Sequence, residues 1–164
     1  MNESLITALQ EQANYELFAA HSYDAIAYWC EANDYHGFAS FFFDQAEEER
    51  EHSKKFFTHL MDRGIDPILT EIGKPQAEFE SIPELALKAR TMEKSNTDQI
   101  IGCYQIARDT SEIRSIPFLL EFVEEQVEEE SWTAKLITLT DRAQCAGALY
   151  TLDRHIMQEM SDES

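Results

Sequence analysis

The chain has 164 residues and a formal net charge of −19 at pH 7, from 32 Asp and Glu against 13 Lys and Arg. So acidic a surface repels phosphate backbones and anionic lipid, which argues against nucleic-acid and membrane partners. With 43% hydrophobic residues and 18 aromatics the chain is not disordered, and 5 Gly and 4 Pro are too few turn-formers for an all-β fold.

The opening Met1-Asn2-Glu3-Ser4 carries no basic segment, and no apolar run approaches the roughly 18 residues of a membrane span. Cys30, Cys103 and Cys145 are odd in number and widely spaced, and no C-x-x-C occurs. Scattered free thiols fit a reducing compartment, so a cytoplasmic protein is expected.

Helical spacing dominates from residue 4 onward. The stripe Leu5, Leu9, Ala13, Glu16, Ala20, Tyr23, Ala27, Cys30 predicts a first helix over about 4–33, which Asn33 and Asp34 end while capping the next. A second helix is predicted over about 35–63, with stripe Phe38, Phe42, Gln45, Glu49, His52, Phe56, Leu60; Gly64 and Pro67 stop it. Residues 64–80 form a long linker. Fully extended it reaches up to ~56 Å, more than the roughly 43 Å of a 29-residue helix. It can therefore cross the whole bundle and leave helices two and three parallel.

Ser81-Ile82-Pro83-Glu84 predicts the start of the third helix, with Ser81 as cap and Glu84 closing a capping box. Its stripe is Ala86, Ala89, Glu93, Ile100, Tyr104, Ala107. Ser115-Ile116-Pro117 repeats the opening, and Leu119, Phe122, Gln126, Glu129, Thr133 and Leu136 carry a fourth helix to about 140. A short fifth helix is expected over about 145–159. The expectation is one all-α domain over 1–164, a four-helix bundle with one long crossover and a short fifth helix.

Most acids read as a solvated face, but a subset lies where core residues belong. Glu16, Glu49 with His52, Glu93, and Gln126 with Glu129 occupy the inward stripes of the four long helices. Burying such charges unpaired costs several kcal/mol each, and few Lys or Arg share those stripes. A bound cation resolves the conflict. Glu49-x-x-His52 alone is a weak motif, but di-iron carboxylate bundles use single Glu residues from two helices and ligand pairs from the other two. Four carboxylates balance two divalent ions, and oxygen ligands with one imidazole suit iron or manganese. An acidic assembly protein holding Mg²⁺ or Ca²⁺ without redox chemistry and a substrate-oxidising di-iron enzyme are the alternatives; His52 argues against the first.

Tyr15-Glu16-Leu17-Phe18 with Tyr23, Glu48-Glu49-Arg50-Glu51-His52, Glu93, and Glu125-Gln126-Val127-Glu128-Glu129 resemble the non-haem ferritins of bacterial type over nearly the whole chain. The resemblance implies an iron-storing ferroxidase that oxidises Fe²⁺ with O₂ and assembles as a homo-oligomer of 24 copies. It implies one iron on Glu16, Glu49 and His52, a second on Glu49, Glu93 and Glu129, and Gln126 hydrogen-bonding within the site. It implies a third iron beside them on Glu48, Glu125, Glu128 and Glu129, and Tyr23 as an electron donor. Arg50 stands where a haem-ligating Met would be, so no haem is expected. Ile116 and Leu119 stand where animal ferritins place pore acids, so either Glu112 or Glu121 serves instead or iron enters by another path. His36, His59 and His155 read as surface residues, and Trp29 and Trp132 as packing residues.

Overall fold

The computed structural model describes residues 1–161, in five helices: α1 Glu3–Ala32, α2 His36–Met61, α3 Ile82–Asp109, α4 Ile116–Arg142 and α5 Ala146–Ser161. No strand occurs among the described residues. Each boundary lies within about two residues of the sequence expectation. Asn2 caps α1 by accepting the Ser4 amide at 2.9 Å. Asp34 takes a left-handed φ of 64° to end it, and the Tyr35 amide bonds back to the Cys30 carbonyl at 2.9 Å.

Three caps differ from expectation. Asn33 and Asp34 end α1 but do not cap α2, whose cap position is Tyr35 with no side-chain cap bond. Ser81 accepts the Glu84 amide, but Glu84 reaches the Glu80 amide rather than that of Ser81. Ser115 is already in helical conformation and makes no cap bond. Its hydroxyl lies 3.0 Å from His59 Nε2 instead, so the repeated Ser-Ile-Pro opens its two helices by different means.

Side-chain pairs set the topology. Ser53 bonds the Ala13 carbonyl and Arg50 pairs with Asp24, so α1 and α2 run antiparallel. Gln12 meets Asn96 and Tyr15 meets Met92, which makes α3 antiparallel to α1. Helices α2 and α3 are therefore parallel, as the linker length allowed. That linker lies along α1: Gln10 bonds the backbone of Asp66 and Ile68, Asn14 that of Ile68 and Thr70, and Trp29 packs on Phe79.

The core is split in two. Leu5, Leu9, Phe56, Leu60, Ile100, Leu119 and Phe122 fill one end. Tyr23, Ile26, Phe38, Phe42, Leu85, Ala89, Trp132, Leu136 and Ile156 fill the other, where α5 packs against α2. Between the two lies a belt of buried polar groups from all four long helices. No helix among the described residues is long and apolar enough to cross a membrane.

Candidate metal centre

The polar belt holds the residues that the stripes marked. Glu16, Glu49, His52, Glu93, Gln126 and Glu129 are all buried, none more than 5% exposed. Two sets of three offer ligand atoms within 4.8 Å of one another: Glu16, Glu49 and His52, and Glu49, Glu93 and Glu129. Glu49 belongs to both, so one carboxylate is common to two groups able to hold a metal ion. A divalent ion in each fits a donor set of four carboxylates and one imidazole, in charge as in chemistry.

The acids have few positive neighbours. Burial and the charge of Glu49 hold the Glu16 carboxyl well above its usual range. Burial and Glu93 do the same to Glu49 and to Glu129, which Trp132 partly offsets. Glu93 is raised by burial, against hydrogen bonds from Tyr23 and Gln126. Burial opposes a charge on His52, but its contact with Glu125 and the surrounding carboxylates outweigh that and raise its pKa. A bound cation favours the ionised carboxylates that burial opposes, so metal binding is coupled to proton release.

Each acid is oriented by a neighbour. The Tyr23 hydroxyl donates to Glu93 Oε1. The Gln126 amide donates to Glu93 Oε2 at 3.3 Å and to Thr97 at 3.2 Å. The Trp132 indole N–H donates to Glu129 Oε2, so this tryptophan does more than pack. Gln12 and Asn96, both about 1% exposed, donate to Glu16. The sequence reading missed all three of these partners. An amide beside a stripe gives no charge signal, and an indole reads as core.

A third set lies just outside. Glu48, His52 and Glu125 offer atoms within 4.8 Å of one another. His52 Nδ1 lies 3.2 Å from Glu49 while Nε2 lies 3.1 Å from Glu125, so the ring bridges the buried pair and this outer group. The set opens on a recess of about 410 Å³ lined also by Asp44, Glu47, Glu51 and Lys55. Glu128, expected here, is exposed and lines a separate recess with Glu48 and Glu129.

The pore-acid position and its two candidate substitutes differ in environment. Leu119 is fully buried in the core. Glu112 is tied to Arg63 at 2.6 Å, which holds its carboxyl below the usual range. Glu121 is exposed. His59 is half-buried, stacked on Phe118 with ring centroids 4.3 Å apart, whereas His36 and His155 are exposed.

The ferritin-like domain family matches residues 6–143. The chain belongs to the ferritin family. It is 36% identical to a bacterial non-haem ferritin of Staphylococcus saprophyticus over 165 aligned positions, covering 100% of this chain and 99% of that one. It is 42% identical to one of Staphylococcus epidermidis over 131 positions, covering 80% and 79%. Among solved structures it superposes on the open-pore ferritin of the hyperthermophilic archaeon Archaeoglobus fulgidus with a TM-score of 0.92, at 25% identity, covering 95% and 97%. A form of that ferritin engineered closed by site-directed mutagenesis gives a TM-score of 0.92 at 26% identity, covering 95% and 96%.

Proposed function

We propose that this ferritin-family protein is an iron-storing ferroxidase that acts on two Fe²⁺ at once. The observation that carries this is the pair of buried ligand sets sharing Glu49. Glu16, Glu49 and His52 hold one Fe²⁺, Glu49, Glu93 and Glu129 hold the other, and Glu49 bridges them. Each Fe²⁺ loses one electron and O₂ accepts the pair. Holding both ions beside one O₂ replaces a three-body encounter with a single bound geometry. Gln126 steadies Glu93, and Tyr23 is close enough to the pair to supply a further electron. Glu48 and Glu125 with His52 form an outer station for a third iron, next to Glu128 and Glu129.

The same proposal includes the shell. Ile68, Leu69 and Ile72 on the linker, with Tyr28, Leu87 and Val127 on the helices, are large apolar side chains left exposed on one chain. Burial between copies, 24 as in the ferritin shells that the sequence resembles, would cover such surface. Cytoplasmic residence fits the three free thiols.

Anaerobic addition of Fe²⁺ followed by air tests the reading. A fast ferric absorbance rise, in a particle many times the mass of one chain on size-exclusion chromatography, is expected. Metal uptake with no oxidation would leave the non-redox alternative.

A further inference from the structure

Of the belt acids, Glu16 alone has an amide on each oxygen. Gln12 Nε2 donates to Glu16 Oε1 at 2.7 Å, and Asn96 Nδ2 donates to Glu16 Oε2 at 3.1 Å. The two amides are locked to each other, because Gln12 Nε2 also donates to Asn96 Oδ1 at 2.6 Å. The orientation of Gln12 is thereby fixed: turned over, its oxygen would face two acceptors. The result is a closed ring of three side chains from α1 and α3, buried together.

This ring is a costly way to fill space. Gln12 Oε1 is buried with no hydrogen-bond partner among the described residues, a state that native proteins rarely leave without a reason. Apolar side chains would pack there with no such penalty. What the amides do accomplish is local to Glu16. Each amide takes one lone pair of one oxygen, so the carboxylate plane is set before any metal arrives.

We propose that Gln12 and Asn96 are positioning residues that hold Glu16 in its ligating pose. They set the Glu16 side of the Glu16–Glu49–His52 position before a cation arrives. The other position is served differently, through Tyr23 and Gln126 on Glu93 and Trp132 on Glu129. Loss of the clamp should therefore act on one position and spare its neighbour. This inference rests on the two-metal reading of the belt.

The test is an anaerobic calorimetric titration of the intact shell with Co²⁺, on the natural protein and on the variants Asn96→Leu and Gln12→Met. Both replacements keep side-chain volume close and remove the donors. The natural protein is expected to take up two Co²⁺ per chain in two resolved steps. In either variant one of the two steps should weaken by about 10–100-fold, the usual effect of removing a partner that orients a ligand. The other step should stay within threefold, and the metal-free shell should still assemble. Two variants guard against one that fails to fold. Unchanged affinities in both variants, or equal weakening of both steps, would overturn the clamp while leaving the two-metal reading intact. Failure of the natural protein to take up two Co²⁺ would overturn that reading, and the clamp with it.

Discussion

Asp153 Oδ1 accepts a hydrogen bond from the backbone N–H of Phe38 at 2.9 Å, so α5 supplies the N-terminal cap that α2 lacks. Tyr35, the residue in the cap position, makes no side-chain bond of its own. The close approach depends on Gly37, where an added Cβ would stand 1.7 Å from the Asp153 carbonyl oxygen. Asp153→Ala should therefore cost about 1–2 kcal/mol, the upper part of the range for a lost cap. Gly37→Ala should push α5 off α2. Gly102, mid-helix in α3 with open space around it, is the contrast: Gly102→Ala should add about 0.5–1 kcal/mol. Denaturant titration gives the energies. Hydrogen exchange should show faster exchange in α5 and at the start of α2 for the first two variants only; uniform exchange would refute the cap.

Glu49 is the carboxylate that both ligand sets share. Glu49→Gln keeps its shape and removes an ionisable group whose charge burial and Glu93 disfavour. The metal-free protein should melt higher than the natural one, while Fe²⁺ oxidation falls to the background rate in buffer. His52→Ala should abolish fast oxidation as well, but for a different reason and with the opposite sign for stability. It strips a partner from both Glu49 and Glu125 and should lower stability by roughly 1–3 kcal/mol. Stopped-flow absorbance after mixing with Fe²⁺ and air, read beside thermal melts, checks both. Natural initial rates in the two variants would remove these residues from the site.

The two aromatic donors should separate binding from oxidation. Glu93 receives hydrogen bonds from both Tyr23 and Gln126, so Tyr23→Phe leaves it one partner. Fe²⁺ affinity should hold while the oxygen step changes rate. Trp132 is the donor shown for Glu129, so Trp132→Phe should weaken metal binding by about tenfold or more. Anaerobic binding and single-turnover oxidation measured on each variant resolve this. Lost affinity in Tyr23→Phe would make Tyr23 structural.

What the sequence made legible follows from range. Glu16, Glu49, His52, Glu93, Gln126 and Glu129 stood out because a charge or amide in a helix's apolar stripe is a local conflict, visible at three- and four-residue spacing. The linker's span was legible from its length against that of a helix. Asp153 was not legible, because its partner lies 115 residues away and nothing near it in the chain calls for a cap. Gln12 and Asn96 sit beside the stripes, and an uncharged amide there looks like surface until α1 and α3 bring the two together. His52 was read as one ligand for one set. Only the fold shows Glu125 at its second nitrogen.

The raised carboxyls of Glu16, Glu49, Glu93 and Glu129 make stability depend on both pH and metal. In the metal-free folded protein these groups bind protons more tightly than in the unfolded chain, where a glutamate titrates near ~4.3. The folded state therefore carries more protons above that value, and stability must fall as pH rises through the folded pKa values. His52, also raised, acts in the same direction from about 6.5 upward. Glu112 and Glu125 are lowered, so their contribution is lost only as pH drops below the usual carboxylate range. Between pH 5.5 and 8 the metal-free shell should thus melt progressively lower. Metal replaces those protons, so the loaded shell should show a flatter profile, and loading at pH 6 should release more protons than loading at pH 8. Melting curves across that range, with calorimetric titrations in buffers of different ionisation enthalpy, measure both effects. A metal-free shell whose stability rises with pH would show that the four acids are already ionised without metal.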